Sequence, residues 1–384
     1  MLKTPIRSPP ILILFFFVFF AFVVLLGPRM HPEILENVLV LDKPKEVLQF
    51  SSSNPLPPVS LVHRTLTFDH PVISNDYNLL IDLTEFDFLI NHYPCNDSNG
   101  LSQDSSTLIL VLVHSNPNNW EKRQVIRQTW GSWSHFAVED VSLSLLFLLG
   151  EVSSKSLQQK IIEEDQMNED IIQGYFFDSY RNLTYKHVMG LKWATYFCSQ
   201  ANYVLKTDDD VFVNIPALVR YLSDPFSSNN LKAFPKKYIL CSRQDQARVR
   251  RSYRSKWHVK PREYGSSVYP SYCSGSMILY SYKVVTQLYQ RAQVTPYFWI
   301  DDVHVSGTLV AQLNITQTDV GDLMLTEDQV NYLSQDNVHH MWLQWWVNDK
   351  KKSWRKVKDK FLFASELEPN VIRKIWERVN GIRT

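Results

Sequence analysis

The chain has 384 residues, of which 45% are hydrophobic and 21% are charged, and these are the proportions of an ordinary globular protein. Its length holds one large domain or two modest ones, with ample sequence for a core. The formal net charge of +1 gives no electrostatic reason to expect nucleic acid as a partner. We therefore expect a folded domain that does not bind nucleic acid.

The N-terminus contains a long apolar run. Residues 11–26 (ILILFFFVFFAFVVLL) carry no charge and follow Lys3 and Arg7. As a helix this run spans about 24 Å, which is short for a bilayer core of about 30 Å but fits a thinner membrane. A cleaved signal peptide is the alternative, although the sequence that follows, GPRMHPEI, lacks a small-x-small cleavage site. We predict a cytosolic tail at 1–10 and a transmembrane signal anchor at 11–26, with the rest of the chain in the lumen.

The next segment differs in composition from the rest of the chain. Residues 27–67 are rich in Pro and Ser (SSSNPLPPVS), which is typical of a stem. From residue 68 to residue 384 the chain reads as one lumenal domain.

Cysteines and glycosylation sequons agree with a lumenal location. The chain has four cysteines and no CxxC spacing, namely Cys95, Cys198, Cys241 and Cys273. We predict one or two disulfides, and three full pairings are open. Three sequons are candidate glycosylation sites, at Asn96, Asn182 and Asn314.

Short apolar runs alternate with helical patterns along this domain. Buried strands are predicted at residues 107–115 (TLILVLVHS), at 143–150 (LSLLFLLG) and in the YVLK run at 203–206. Helices are predicted at 120–131 and 178–198. This alternation indicates an α/β fold with a largely parallel sheet, in which ligands bind beyond the carboxyl ends of the strands.

Three consecutive acids follow the third predicted strand: Asp208, Asp209 and Asp210. Adjacent negative charges repel, so this triplet requires solvation by water, a bound cation or a functional role that offsets the repulsion. If the backbone stays extended, Asp208 and Asp210 point one way and Asp209 points the other. Two converging carboxylates suit a hard divalent cation that binds substrate phosphates, whereas a solvated acidic turn is the alternative. The sequence has neither GxxxxGK[ST] nor GxGxxG, so a metal would be the main holder of a nucleotide's phosphates.

A second acidic pair, Asp301 and Asp302, emerges from the aromatic stretch YFWIDDVHVSG. Partial exclusion of water there raises the basicity of a carboxylate toward that of a general base. The alternative is that the pair caps the start of a helix.

Six blocks in order make the chain similar to a known family. They are RQVIRQTWG (123–131), FLLG (147–150), DIIQGYFFDSYRNLTYK (170–186), KTDDDVFVN (206–214), YPSYCSGSMILYS (269–281) and DDV (301–303). From residue 86 to the C-terminus the sequence resembles the beta-1,3-galactosyltransferase family, which includes related N-acetylglucosaminyl- and N-acetylgalactosaminyltransferases.

The resemblance implies a GT-A-like (Rossmann-like) mixed α/β sheet flanked by helices, in a single-pass type II protein of the Golgi membrane. It implies inverting transfer of a hexose or N-acetylhexosamine, with galactose preferred, in beta-1,3 linkage. The donor would be a UDP-sugar, the acceptor a glycan on a glycoprotein or glycolipid, and the cofactor Mn²⁺ or another divalent cation. The alternative is a catalytically silent lumenal member that binds glycans or assists another transferase.

The resemblance also implies roles for individual residues. Asp208 and Asp210 would hold the metal, and Asp302 would be the base that takes the proton of the acceptor hydroxyl. The donor-binding residues that it implies are Arg123, Arg127, Asp208 and Asp209.

Two positions depart from the family pattern. Ser306 stands where D-V-x-x-G predicts glycine. Ser365 stands where many members carry a histidine that supports the metal. Water, Ser365 itself, His339 or His340 would then have to fill that place, and a weaker metal site or lost activity would follow if none does.

Overall fold

The computed structural model describes residues 77–95, 107–135, 141–223, 238–334 and 361–380, all within the unit His70–Thr384. The predicted tail, anchor and stem lie outside the described residues, as do Asn96, His339 and His340. Within the described ranges no helix is long and apolar enough to cross a membrane. The predicted domain boundaries stay predictions.

The strands of the described residues form one large sheet and one small one. They are β1 (Phe88–Ile90), β2 (Thr107–His114), β3 (Val141–Glu151), β4 (Ile171–Phe177), β5 (Tyr203–Asp208), β6 (Phe212–Val213), β7 (Ile239–Gln244), β8 (Tyr272–Ser281), β9 (Gln317–Asp319) and β10 (Phe363–Ala364). The large sheet has the order β1-β4-β3-β2-β5-β8-β7-β9, and β10 pairs with β6 in the small one. The three strands that the sequence predicts are confirmed as β2, β3 and β5.

The large sheet is mixed. Its centre, β4-β3-β2-β5, is parallel throughout, whereas β8 runs antiparallel to both β5 and β7, and β1 runs antiparallel to β4. Parallel pairing is therefore found at the centre and again between β7 and β9, and the mixed α/β sheet is confirmed. Its GT-A-like character stays a prediction.

Helices cover both faces of the sheet. They are α1 (Trp120–Gln128), α2 (Lys155–Asn168), α3 (Leu183–Phe197), α4 (Ile215–Ser223), α5 (Tyr282–Ala292), α6 (Val310–Gln312), α7 (Glu327–Ser334) and α8 (Pro369–Asn380). Short 3₁₀ helices lie at Trp130–His135, Tyr180–Asn182 and Gly321–Leu323, and a π-helix lies at Asp302–Leu309. The predicted helix at 178–198 therefore becomes a 3₁₀ turn followed by α3.

The alternation of side chains along β2 explains why the core has two main layers. Ile109, Val111 and Val113 pack into one apolar cluster with residues of α1. Leu110 and Leu112 point to the other face and pack with residues of α3. A strand buried on both faces reads as a continuous apolar run, which is the pattern of TLILVLVH.

Two disulfides are present, and they select one of the three open pairings. Cys95 is bonded to Cys198, just after α3, and Cys241 of β7 is bonded to Cys273 of β8. The prediction of disulfides is confirmed.

Candidate active site

The site lies at the edge where the parallel strands end. The carboxyl ends of β2, β4 and β5 lie at this edge together with the start of β8, because β8 runs antiparallel to β5. β5 ends at Asp208, and residues 209 and 210 form a turn before β6. The backbone is therefore not extended beyond Asp208, so the simple alternation expected for the three acids does not apply.

Asp209 is buried and heavily hydrogen-bonded. Its Oδ2 accepts from Ser115 Oγ at 2.8 Å, from Asn116 N at 3.2 Å and from Asn119 Nδ2 at 2.9 Å. These three donors belong to the loop after β2. Asp209 therefore fixes this loop against the end of β5, and its predicted contact with the donor stays a prediction.

Asp208 and Asp210 remain accessible, with about two fifths of each side chain exposed (41% and 37%). Asp208 Oδ1 accepts from Lys206 Nζ at 2.8 Å, and Asp210 Oδ2 lies 3.9 Å from Lys122 Nζ. Burial raises the pKa of Asp210 to about 6, the charges of Asp208 and Asp209 add to this, and Lys122 opposes it. Burial likewise raises the pKa of Asp208, against the effect of Lys206. Both carboxylates would gain from a nearby cation.

The available ligand side chains limit the kind of metal site that can form here. Among the described residues no group of three or more His, Cys, Asp or Glu side chains is arranged to hold a metal ion. A hard divalent cation is nevertheless held in many sites by one or two carboxylates, with water and substrate phosphates as its other ligands. Asp208 and Asp210 would supply the two carboxylates of such a site, and metal binding stays a prediction.

Asp302 lies at the start of the π-helix and shares Gly275 with Lys206 as a hydrogen-bonding partner. Its Oδ2 accepts from Gly275 N at 3.0 Å, and Lys206 Nζ donates to Gly275 O at 2.8 Å. A Cβ added at Gly275 would lie 2.6 Å from Asp302 Oδ1 and 2.8 Å from Lys206 Nζ, so only glycine leaves room for this approach. Burial raises the pKa of Asp302 well above its ordinary value, and the neighbouring Asp301 adds to the effect. This is the electrostatic setting of a general base.

Asp301 has a different environment from Asp302. Its Oδ2 lies 3.1 Å from His187 Nδ1, and His187 Nε2 lies 3.3 Å from the Tyr280 hydroxyl. Burial opposes ionisation, but the hydrogen bond from His187 and the charge of Lys206 hold the pKa of Asp301 below its ordinary value. Two adjacent acids with opposite pKa shifts suggest a division of roles, with Asp302 as the proton acceptor.

Ser306, the first departure from the family pattern, hydrogen-bonds to the backbone of Asp302, the predicted base. Its buried Oγ accepts from Cys273 N at 2.9 Å and donates to Asp302 O at 2.6 Å. The hydroxyl therefore ties the π-helix that carries Asp302 to strand β8.

The two motif arginines lie in a buried ionic network. Arg123 donates to Glu164 at 2.6 and 2.9 Å and to Asn116 O at 2.7 Å. Arg127 contacts Glu164 and Asp170, each at 2.8 Å. Direct donor binding would require these bonds to be exchanged, so that role stays a prediction. As the structure stands, Arg123 supports the loop that surrounds Asp209.

The remaining predicted positions differ in accessibility. Asn314 is exposed in a left-handed conformation (φ 50°). Asn182 Nδ2 donates to Phe177 O at 2.8 Å, and the hydroxyl of its sequon residue Thr184 is buried. Ser365 follows β10, and its Oγ lies 3.8 Å from Met324 Sδ. Glycosylation and a role of Ser365 in metal binding stay predictions, and the geometry favours Asn314 over Asn182.

Sequence reasoning missed several residues that organise the site. Lys206 had a signal, because period-2 alternation in a strand places residues 206 and 208 on one face. The polar run HSNPNN, which begins at the last residue of β2, was a second signal, and side chains of this run hydrogen-bond to Asp209. Gly275 had no signal of its own, since its role depends on two side chains that meet only in the fold.

An acid pair beside a buried carboxylate of raised basicity suits a transferase that activates a hydroxyl against a phosphate-bearing donor. Sequence comparison gives the class. The profile of the Galactosyltransferase family matches residues 121–321, which include the acidic triplet and Asp302. Beta-1,3-galactosyltransferase 1 of Mus musculus is 32% identical over 266 residues, covering 69% of this chain and 76% of the relative. Beta-1,3-galactosyltransferase 5 of Pan paniscus is 36% identical over 207 residues, covering 54% and 65%.

The chain therefore belongs to the beta-1,3-galactosyltransferase family, a family of glycosyltransferases. Solved structures of the WbbM bifunctional glycosyltransferase and of an active-site mutant of LgtC align over 72% of this chain, and over 52% and 95% of their own chains. Their TM-scores are 0.34 and 0.33 and their identities are 10% and 8%. These scores are too low to bear on the fold.

Proposed function

We propose that the chain is an inverting glycosyltransferase that moves a sugar, preferably galactose, from a UDP-sugar to a glycan acceptor in beta-1,3 linkage. Family membership supports the reaction class. One structural observation supports the pairing of the proposed roles: Lys206 donates to Asp208 and to the carbonyl of Gly275, and the N–H of Gly275 donates to Asp302. The proposed metal-binding acid and the proposed base are thus linked through one buried ammonium and one glycine.

The chain's own residues account for activation of the acceptor. Asp302 accepts the proton of the attacking hydroxyl, and its raised pKa makes it a stronger base than a free carboxylate. The Gly275 N–H orients Asp302 Oδ2, and Ser306 holds the backbone of Asp302. The hydroxyl oxygen bonds to the anomeric carbon as the bond from that carbon to UDP breaks, so that the configuration inverts.

The departing UDP requires stabilisation of negative charge. Asp208 and Asp210 would hold a divalent cation, Mn²⁺ or another, and such an ion supplies charge stabilisation to the leaving diphosphate. The charge of Lys206 interacts with Asp208, Asp302 and Asp301. Lys206 therefore lowers the repulsion between Asp208 and the acidic pair Asp301 and Asp302. Lys122 lies within 4 Å of Asp209 and Asp210, where its ammonium group would interact with negative charge on the donor.

For location we propose a single-pass type II Golgi protein with this domain in the lumen. The two disulfides support an oxidising compartment. The membrane anchor is proposed from the sequence of residues 11–26.

A donor screen tests the proposal. The detergent-solubilised full chain would be incubated with UDP-galactose, UDP-N-acetylglucosamine or UDP-N-acetylgalactosamine, Mn²⁺ and a panel of glycan acceptors, and the product linkage read by NMR. We expect a beta-1,3 product that is lost with EDTA. A folded protein that turns over none of these donors would contradict the proposal. Glycan binding without turnover would instead support the silent family member, which the Ser365 departure favours.

A further inference from the structure

A strongly basic loop borders the base. Residues 246–270, here called the basic loop, contain seven Lys or Arg side chains and one acid, in a chain whose formal net charge is only +1. They also carry Tyr253 and Trp257, both exposed. None of the roles assigned above uses these side chains.

The basic loop is held in a defined conformation despite having little regular secondary structure. Val249 N donates to Ser267 O at 2.9 Å, and the Arg251 guanidinium donates to three carbonyl oxygens of the loop at 2.7 to 3.0 Å. The loop has its own apolar cluster, formed by Val249, Val259, Tyr269, Phe298, Trp299 and Val303. This cluster includes Val303, the residue after the base, so the loop is fixed on the segment that carries Asp302.

Two tyrosines connect the loop to the base. The phenol of Tyr272 interacts electrostatically with both Asp302 and Arg250. The exposed Tyr180 forms a side-chain hydrogen bond with Trp257, and its ring centroid lies 6.0 Å from that of Trp299. Tyr180 also interacts with the charge of Asp302. An acceptor hydroxyl at Asp302 would therefore have the basic loop as its neighbour.

The cations of the loop are largely without acidic partners. Five are exposed and pair with no carboxylate of the described residues: Arg248, Arg250, Arg254, Lys256 and Arg262. Glu263, the acid of the loop, and Asp245, which precedes the loop, pair instead with Arg181 and Arg243. Lys256 lies 4.4 Å over the Trp257 ring, which combines a cation with a flat apolar surface.

We propose that the basic loop is an acceptor subsite for an anionic glycan, one that carries a carboxylate or a sulfate ester near the hydroxyl that is glycosylated. The inference rests on the proposed function, because it takes Asp302 to mark the acceptor position. Exposed Arg and Lys side chains bind and steer anionic oxygens. A neutral acceptor would leave the five cations of the basic loop without a role, whereas an anionic sugar engages both the cations and the aromatic faces.

The test is direct binding of three matched sugars to the full chain with UDP and Mn²⁺ present: methyl β-galactoside, its 6-sulfate and methyl β-galacturonide. We expect the Kd of at least one anionic sugar to be at least tenfold lower than that of the neutral sugar at low salt. The advantage should shrink in 0.5 M NaCl because salt screens exposed charges. The sulfate and the carboxylate are separate arms, so the result identifies the source of the charge.

The variant Arg250→Gln/Arg254→Gln should abolish the advantage. The matched control Lys155→Gln/Lys160→Gln removes two exposed charges from α2 and should retain it. Equal Kd values for all three sugars, or an advantage that survives the loop variant, would overturn the inference. So would a loop variant that loses only binding to phosphatidylserine vesicles, which would assign the loop to a membrane surface. Because binding is measured without turnover, an inactive protein that still discriminates the sugars would refute the proposed function alone.

Discussion

Two charged clusters lie near the strand-end edge of the sheet, and the free-energy cost of burying their charges is offset in different ways. In the first, formed by Arg123, Arg127, Glu164 and Asp170, contacts of 2.6 to 2.9 Å join opposite charges. In the second, Asp208 accepts a hydrogen bond from the buried Lys206, which also interacts with the charge of Asp302, and Asp210 lies 3.9 Å from Lys122. The comparison separates motif residues that build the site from those that are available for chemistry.

The pKa shifts follow this division only in part, because burial raises the pKa of Asp170 despite its contact with Arg127. Burial would raise the pKa of Glu164, but Arg123 and Arg127 hold it below its ordinary value. Burial raises the pKa of Asp302 well above its ordinary value and that of Asp210 to about 6, because their cations are too few or too distant. A charge already neutralised inside the fold has little left to give to a substrate.

The largest effect is expected at the base. Asp302→Asn should lower kcat by a factor of about 10²–10⁴, the usual contribution of general base catalysis, with the melting temperature little changed. Asp301→Asn is the matched control, and it should lose less activity because asparagine still hydrogen-bonds to His187. Rate assays on both folded variants decide the matter, and a reversed order of the two losses would assign the base to Asp301.

Next in size is the effect of breaking the paired cluster. Arg123→Leu leaves Glu164 short of a partner and should lower the free energy of unfolding by about 3–5 kcal/mol. Chemical denaturation of Arg123→Leu and of Arg123→Leu/Glu164→Leu provides the measurement. The double variant should recover much of the loss, because no unpaired charge remains. If stability is unchanged and the KM for the UDP-sugar is raised, Arg123 binds the donor and does not stabilise the fold.

A moderate effect is expected from closing the gap between Lys206 and Asp302. Gly275→Ala should lower kcat by about tenfold to a hundredfold, because a small misplacement of reacting groups has effects of this order. The atoms displaced are ends of flexible side chains, so the fold should survive. Gly265→Ala is the control, since a Cβ there meets nothing within 4 Å. Equal activities of the two variants would show that this approach is not needed.

The smallest effect concerns pH. The folded pKa of Asp210, about 6, lies above its unfolded value, so ionisation of Asp210 lowers the stability of the metal-free protein as pH rises toward 6. Asp210→Asn should therefore melt a few degrees higher than the wild type at pH 7 in EDTA. Near pH 3, where Asp210 is largely protonated in both the folded and the unfolded chain, the difference should largely vanish. A wild type that melts higher than the variant at pH 7 in EDTA would contradict this account.

Local patterns predicted much of the fold because they depend on neighbouring residues. The apolar runs of β2, β3 and β5 required only burial on both faces of a sheet, and the triplet followed β5 as the pattern indicated. The mixed character of the sheet did not follow from the alternation of strands and helices, because β8 pairs across more than sixty residues of intervening chain. The resemblance to a family supplied it.

The site was predictable in part for the same reason. Asp208, Asp210 and Asp302 were singled out because acids after apolar runs are unusual, and their roles stay predictions, whereas Gly275 and Glu164 act only through distant partners. The motif arginines were assigned to the donor because the family resemblance implies that role. Their burial against Glu164 and Asp170 is a tertiary fact that their own sequence block does not contain.

The central claim is that Asp208 and Asp210, although Lys206 and Lys122 lie beside them, hold a divalent metal that binds a nucleotide diphosphate. Titration of UDP into the wild type and into Asp210→Asn, each with Mn²⁺ and with EDTA, tests it most directly. We expect UDP to bind most tightly to the wild type with Mn²⁺. Its affinity should be at least tenfold lower in each of the other three titrations. UDP affinity that is equal in all four titrations would contradict the account.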